Sequence, residues 1–225
     1  SQLVPAKIGS GDADLQARYV RFDNYTFLKE AEKRGQFKVL LWERGEGSRC
    51  ALLPNLNVKD DVWRPIVRDA RFRRAISIAI NRREINQAIF YGLATESADT
   101  VLPASPLFKP EYQKAWAQYD IKLANQLLDE AGLKKRDWDG TRLLPDGRRA
   151  EIIVETAGES TEEADVLALI RDSWAKVGLR LFTRPTQRDL FRSRIFAGET
   201  LMSMWSGLNN AIPTAATYPM EMVPT

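Results

Sequence analysis

Apolar residues recur along the chain with two spacings, one helical and one alternating, and their succession outlines the fold. Between Asp23 and Gly35, Leu28 and Ala31 share a helical face, Asp23 stands where an N-cap belongs and Gly35 marks a stop. The run FKVLLW that follows reads as a buried strand, and RCALLPNLNV, beyond the glycine-rich turn at 45–47, reads as a second. Pro54 inside that second run places it at a sheet edge, or where the strand leaves its sheet, because proline has no N–H to give to a ladder. In DARFRRAISIAINRREINQAIFYG, Phe72, Ala75, Ile76, Ala79 and Ile80 lie on one helical stripe, continued by Ile85, Ala88 and Ile89.

The second half is more regular. Prolines 103, 106 and 110 stiffen the loop TVLPASPLFKPEY into an extended path. Asp120 caps a short helix with Ala124, Leu127, Leu128 and Ala131 on its apolar stripe and Gly132 at its end. TRLLPDGRRAEIIVETA reads as a hairpin turning at PDG. Ser160 and Glu163 have capping-box spacing ahead of a helix carrying Ala164, Leu167, Ile170, Trp174 and Val177 to Gly178. LRLFTRP is the next strand, Thr186 caps TQRDLFRSRIFAG, and LMSMW is a short final strand. Strand, helix, strand, helix, strand is the alternation of an α/β layer, a sheet with helices packed on it. The tail after LMSMW is irregular and proline-bearing, so the chain is expected to stop before its architecture is finished. The small, polar opening, residues 1–16, is expected to pack poorly.

Composition then narrows the chemistry. With 225 residues, 44% of them hydrophobic, the chain can bury a sizeable core. It has no histidine and one cysteine, Cys50, which removes internal disulfides, the usual zinc ligand sets and every histidine-based nucleophile. No cofactor is expected. Carboxylate catalysis stays open, with Asp137, Asp139 and Asp146 as candidates against a plainer role in turns around Gly140 and Gly147. The net charge of +3 comes from interspersed acids and bases. Arg73, Arg74, Arg82 and Arg83 read as a solvated helix face; a nucleic-acid surface is the sharper alternative, but no base-stacking module accompanies them. No stretch approaches the roughly 20 apolar residues that span a bilayer, and residues 1–14 lack the charged-then-apolar pattern of a signal peptide.

Several pieces, in this order, resemble the extracellular solute-binding proteins of the peptide and nickel-binding family, the periplasmic receptors of ABC importers. They are LLPNLNV, VRDARFRRAISIAINRREINQAIFYGLATES, VLPASPLF, YDIKLANQLLDEAGL, PDGRRAEIIVET, SWAKVGL, RLFTRPTQ and LMSMW. FDNYTFLKE, RPTQRDLFRSR and MWSGLNN look like the branch of oligopeptide and microcin-type peptide receptors. The resemblance implies an α/β lobe of a two-lobed periplasmic-binding-protein-like fold, a mixed sheet with helices packed on it. Residues 1–66 would be a remnant of the first lobe and the inter-lobe crossing, and 67–225 most of the second lobe, C-terminally truncated. It implies a receptor, not an enzyme, that binds a peptide or peptide-like solute and hands it to permease subunits in the membrane, with no nucleic-acid partner. The location would be the periplasm, the signal peptide lying outside this piece. Relatives that bind opines, glycosides or metal chelates keep a non-peptide solute open.

By the same resemblance Trp205 lies beside the ligand, and Ser206, Gly207, Asn209 and Asn210 line the contacts after it. Peptide binders commonly follow this tryptophan with an aspartate for the ligand's amino terminus, and here Ser-Gly-Leu-Asn-Asn follows instead. Arg192 and Arg194 lie near family positions that meet a peptide's carboxylate or backbone, for which a planar guanidinium is suited; surface charge is their plainer reading. The turn ETAGES offers backbone N–H groups at a helix start as a minor anion site.

Overall fold

A computed structural model of the chain describes residues 3–18, 20–42, 44–208 and 210–214. Its centre is one mixed sheet of β1 (Ala51–Pro54), β2 (Glu151–Thr156), β3 (Arg180–Pro185) and β4 (Met202–Trp205), in the order β1-β4-β2-β3. β2 runs parallel to both β3 and β4, whereas β1 pairs antiparallel with β4, Leu52 opposite Met204. The α/β layer expected from the alternation is therefore present, and β1 with its Pro54 is an edge strand. Alternation along β2 sends Ile152 and Val154 into the core and Glu151, Ile153 and Glu155 to the other face.

Helices cover the Ile152 face. α1 (Leu3–Gly9) and α2 (Tyr25–Gly35) precede the sheet, and α3 (Trp63–Arg68) and α4 (Ala70–Ile78) bring Trp63, Val67, Phe72 and Ala75 into the core. α5 (Arg82–Phe90), α6 (Pro110–Lys114) and α7 (Ile121–Glu130) follow, with Pro110 at the start of α6, where its missing N–H costs nothing. In α7 the sequence logic holds throughout: Asp120 accepts from the Leu123 amide at 2.8 Å, Ala124, Leu127 and Leu128 are buried, and Gly132 closes the helix at φ +92°. α8 (Thr161–Ala175) begins with Ser160 Oγ accepting from the Glu163 amide at 3.2 Å. It ends near Trp174, which is fully buried and donates through Nε1 to the Ile76 carbonyl at 3.0 Å. That bond ties α8 to α4 and leaves no polar group of the indole stranded. α9 (Arg188–Phe196) joins β3 to β4.

Some expectations fail, each for a local reason. Residues 37–42 form no strand, and Leu40 and Trp42 are each 67% exposed, because an apolar run buries itself only where a neighbour strand exists to pair with it. Asp23 does not cap; it sits in a 3-10 turn, Phe22–Asn24, and is ion-paired with Arg21. The single stripe over residues 69–92 is broken at Asn81, whose side chain accepts from the Glu84 amide and starts α5 afresh, leaving Ala88 exposed. The hairpin's first arm makes only the isolated bridges Arg136↔Arg142 and Leu143↔Arg149. Ala164 is exposed on α8 while Val166 takes the core. Gln187, not Thr186, occupies the N-cap position of α9. The opening residues, expected to pack poorly, include α1, whose Gly9 sits against Phe27 of α2.

Candidate functional site

Because β2, β3 and β4 are parallel, their carboxyl ends, Thr156, Pro185 and Trp205, come to one edge of the sheet. The start of β1 joins them, Ala51 being opposite Trp205. Loops leaving that edge can diverge to either side, which makes it the natural place for a crevice in an open α/β sheet. Four segments meet there: 45–50, 157–160, 186–188, and 206–208 with 210–211.

Trp205 is half-buried, its ring stacked on Phe191 of α9 with centroids 6.0 Å apart and planes 26° from parallel. The Arg188 guanidinium lies over the same indole, 5.2 Å from the ring centre. Arg188 is itself steadied by Glu159, whose two carboxylate oxygens take its Nε, at 2.8 Å, and its Nη2. The indole is thus a flat surface fixed by an aromatic ring and a charged plane. Beside it, Arg49 holds the buried Glu162 at 2.8 Å. Cys50, next to Arg49 in the chain, has its thiol pushed up to about 12 by burial and by the nearby Glu162 and Glu163.

After Trp205 the backbone is stitched down. The Gly207 amide donates to the Ser48 carbonyl at 2.9 Å, the Gly47 amide to Leu208 at 2.9 Å, and the Ala211 amide to Gly45 at 2.7 Å. Trp205, Ser206, Gly207 and Asn210 therefore stand together at the edge, while Asn209 lies outside the described residues. Arg192 and Arg194 are not brought to them. Arg192 is exposed, and among the described residues it has no ion-pair partner. Arg194 is committed to Glu155, which is 2% exposed, through two contacts of 2.9 Å, and to Glu199 through a third of 2.9 Å. α9 starts at the edge and runs away from it, so its first residue, Arg188, reaches the tryptophan. Sequence reasoning missed Arg188 and Glu159; the signal was their common position, each just past a strand's carboxyl end.

The other candidates resolve into structural roles. Asp139 accepts from the Thr141 hydroxyl at 2.6 Å and from Arg180 at 2.6 Å, and Arg149 holds both Asp139 and Asp137. The Thr141 hydroxyl, with Asp137 and Arg149 beside it, keeps the Asp139 carboxyl well below the usual carboxylate range. Asp146 is paired with Arg148 at 2.6 Å. Arg73 donates to the Val67 and Arg68 carbonyls, Arg82 to Ser77, Ser97 and Ala117, and Arg74 covers Trp116 at 4.6 Å. Arg83 alone of that group is simply exposed. An open recess of about 500 Å³ on the Glu155 face of the sheet, lined by Trp63, Ile153 and Leu201 among others, is not lined by Trp205. No group of acidic or cysteine side chains able to hold a metal ion occurs among the described residues.

Residues 7–223 match the family described as bacterial extracellular solute-binding proteins, family 5 middle. The oligopeptide-binding protein AppA of Bacillus subtilis is 25% identical over 177 residues, which cover 76% of this chain and 30% of AppA. A putative ABC transporter peptide-binding protein of Brucella ovis is 32% identical over 150 residues, 65% of this chain and 26% of that protein. Among solved structures, an oligopeptide-binding protein OppA superposes with a TM-score of 0.76 at 36% identity, over 94% of this chain and 34% of that one. The chain spans about a third or less of the length of these proteins.

Proposed function

The chain belongs to the bacterial extracellular solute-binding proteins of family 5, and from that premise we propose that it is part of the binding component of an ABC importer for a peptide or peptide-like solute. The observation that carries this reading is Trp205, half-buried and packed against Phe191 and Arg188 at the carboxyl edge of three parallel strands. A fixed, half-exposed indole offers a large contact area at little entropic cost, and a peptide backbone or side chain can lie on it without a sequence-specific fit. The names of the relatives, oligopeptide-binding in AppA and OppA, support the same solute class.

In this proposal residues 67–225 form most of one lobe and 1–66 the remnant of the other with the crossing. β1 serves as the crossing strand, since it is hydrogen-bonded to β4. Trp205, Ser206, Gly207, Asn209 and Asn210 line one wall of the cleft, joined by Arg188. Arg192 is available to an anionic group, and Arg194 acts by positioning Glu155. Closure of the two lobes over the solute would expel water and present the receptor to its permease. The receptor works in the periplasm. No helix among the described residues is long and apolar enough to cross a membrane.

Mass spectrometry of solute carried by the full-length receptor, purified from its native source, tests the reading. Peptides are the expected cargo, and a sugar or metal chelate as the sole cargo overturns it. In the same receptor Trp205→Ala should weaken peptide binding about tenfold or more, measured by calorimetry at a temperature well below the unfolding of both proteins.

A further inference from the structure

The chain leading into β2 makes a tight turn at the end of the sheet opposite Trp205. The Asp137 amide donates to the Thr141 carbonyl at 2.8 Å, and the bridge Arg136↔Arg142 continues the pairing behind it. Residues 138–140 form the tip, and it is fixed from several sides. One Asp137 oxygen accepts from the Asp139 and Thr141 amides at 3.1 and 3.0 Å, Arg136 donates to the Gly140 carbonyl at 2.9 Å, and Gly140 has the left-handed φ of +83° that closes the turn. On this fixed tip Trp138 is 92% exposed, more than any other large apolar side chain among the described residues. An indole has much apolar area to hide, and here nearly all of it is left in water.

Charge at the tip is sorted by sign. Asp137 and Asp139 turn inward, their side chains 14% and 16% exposed, and are paired with Arg149 and Arg180. Asp129, at the end of α7, is taken by the buried Arg142. Lys134, Lys135 and Arg136 are exposed, and among the described residues none of them has an ion-pair partner. Arg136 bonds only the neutral oxygens of Asn125 and Gly140, so its charge stays uncompensated. The outward surface is therefore an indole with cations behind it.

Position keeps this surface free. Arg180, which holds Asp139, opens β3, and its amide donates to the Ala150 carbonyl just before β2 at 3.1 Å. The tip thus stands at the amino ends of both strands, beside the outer strand β3 and across the sheet from β1. In the arrangement proposed above, the solute and the closing lobe come to the opposite end.

We propose that this tip is a membrane-contact site, with Trp138 entering the headgroup layer of an anionic phospholipid surface and Lys134, Lys135 and Arg136 drawn to its phosphates. Indoles settle at headgroup level, where one part of the ring system is apolar and the N–H stays wet, and neighbouring cations add attraction to negative lipid. A protein partner fits less well, because a stable interface covers about 800 Å² on each side around an apolar core, and here a single ring projects from a narrow turn among charged side chains. The inference goes beyond the solute-binding reading and is independent of the solute.

The full-length receptor is sedimented with phosphatidylcholine vesicles and with vesicles containing about a third phosphatidylglycerol, at about 50 mM salt. Wild type should bind the anionic vesicles about tenfold or more tighter than the neutral ones, and Trp138→Ala and, separately, Lys134→Gln with Lys135→Gln should each weaken that binding about tenfold. Both variants replace exposed side chains, so thermal unfolding should match wild type. The solute carried from the native source should also be unchanged, which separates this result from the fate of the solute-binding reading. No preference for anionic vesicles, or a preference that either variant retains in full, overturns the proposal. If Trp138→Ala leaves vesicle binding intact but slows solute uptake by cells, the residue belongs to a protein partner and the lipid assignment falls.

Discussion

A single side chain, Arg142, shows how far residue type can mislead. It is wholly buried, donates through Nε to the Val177 carbonyl at 2.7 Å, and reaches the Leu133 and Asn125 carbonyls and the Asp129 carboxylate. Arginine is read as surface by default, so nothing in the sequence marked this one as the pin between the 136–150 arm, α7 and the end of α8. Arg142→Met should destabilise the fold by about 3 kcal/mol or more, since each buried carbonyl left without a donor costs roughly 1–3 kcal/mol; denaturant unfolding measures it. Acid acts on other residues. Asp60 and Asp146, both beside Arg148, are held below the ordinary carboxylate value of 3.8. The stability they contribute is present above that value and is lost as pH falls below it. Arg148→Gln should therefore flatten the stability profile below about pH 4, with little change in its shape above pH 5, as followed by circular dichroism. Cys50 has the opposite sign. Its thiol rises from 9.0 to about 12 in the fold, so its share of stability is full below pH 9 and declines toward pH 12. The native thiol should resist alkylation at neutral pH until denaturant is added.

Elements were legible where their information is local. α7 needed only Asp120, its stripe and Gly132, all within one window, and the structure follows that window. Gly178 is a similar marker after α8, at φ +79°, and a Cβ there would stand 2.6 Å from an Arg136 nitrogen and 2.7 Å from the Gly140 carbonyl. Gly178→Ala should cost more than the ~1 kcal/mol typical of losing a glycine-specific conformation, because contact with a backbone oxygen adds to the strain; thermal unfolding checks this. Elements were illegible where burial depends on a distant partner. FKVLLW has the composition of an interior strand, but composition carries no record of what stands beside it. The site divides in the same way. Trp205 and the residues after it are contiguous and were found together, whereas Arg188 and Glu159 reach that edge through strand ends and loops that only the sheet order juxtaposes. Arg194 sits close to Trp205 in sequence, yet the run of α9 carries it to Glu155.

At the scale of the whole molecule, the wall proposed for a cleft and an apolar strip share one chain. Leu40, Leu41 and Trp42 are 67%, 58% and 67% exposed in succession, the kind of contiguous patch that promotes association. In sedimentation, the isolated 225-residue chain should self-associate, and Leu41→Lys with Trp42→Lys should shift it toward monomer. The same isolated chain should bind peptides weakly or not at all by calorimetry, because a single wall leaves most of a solute in water; tight binding would count against the lobe assignment. The sheet order has a consequence in time. Among the described residues Ala51–Pro54 pairs only with Met202–Trp205, so the first strand of this sheet waits for its last. A pairing that closes so long a loop delays folding, and a ribosome would have to release everything between the two strands, residues 55–201, before they could meet.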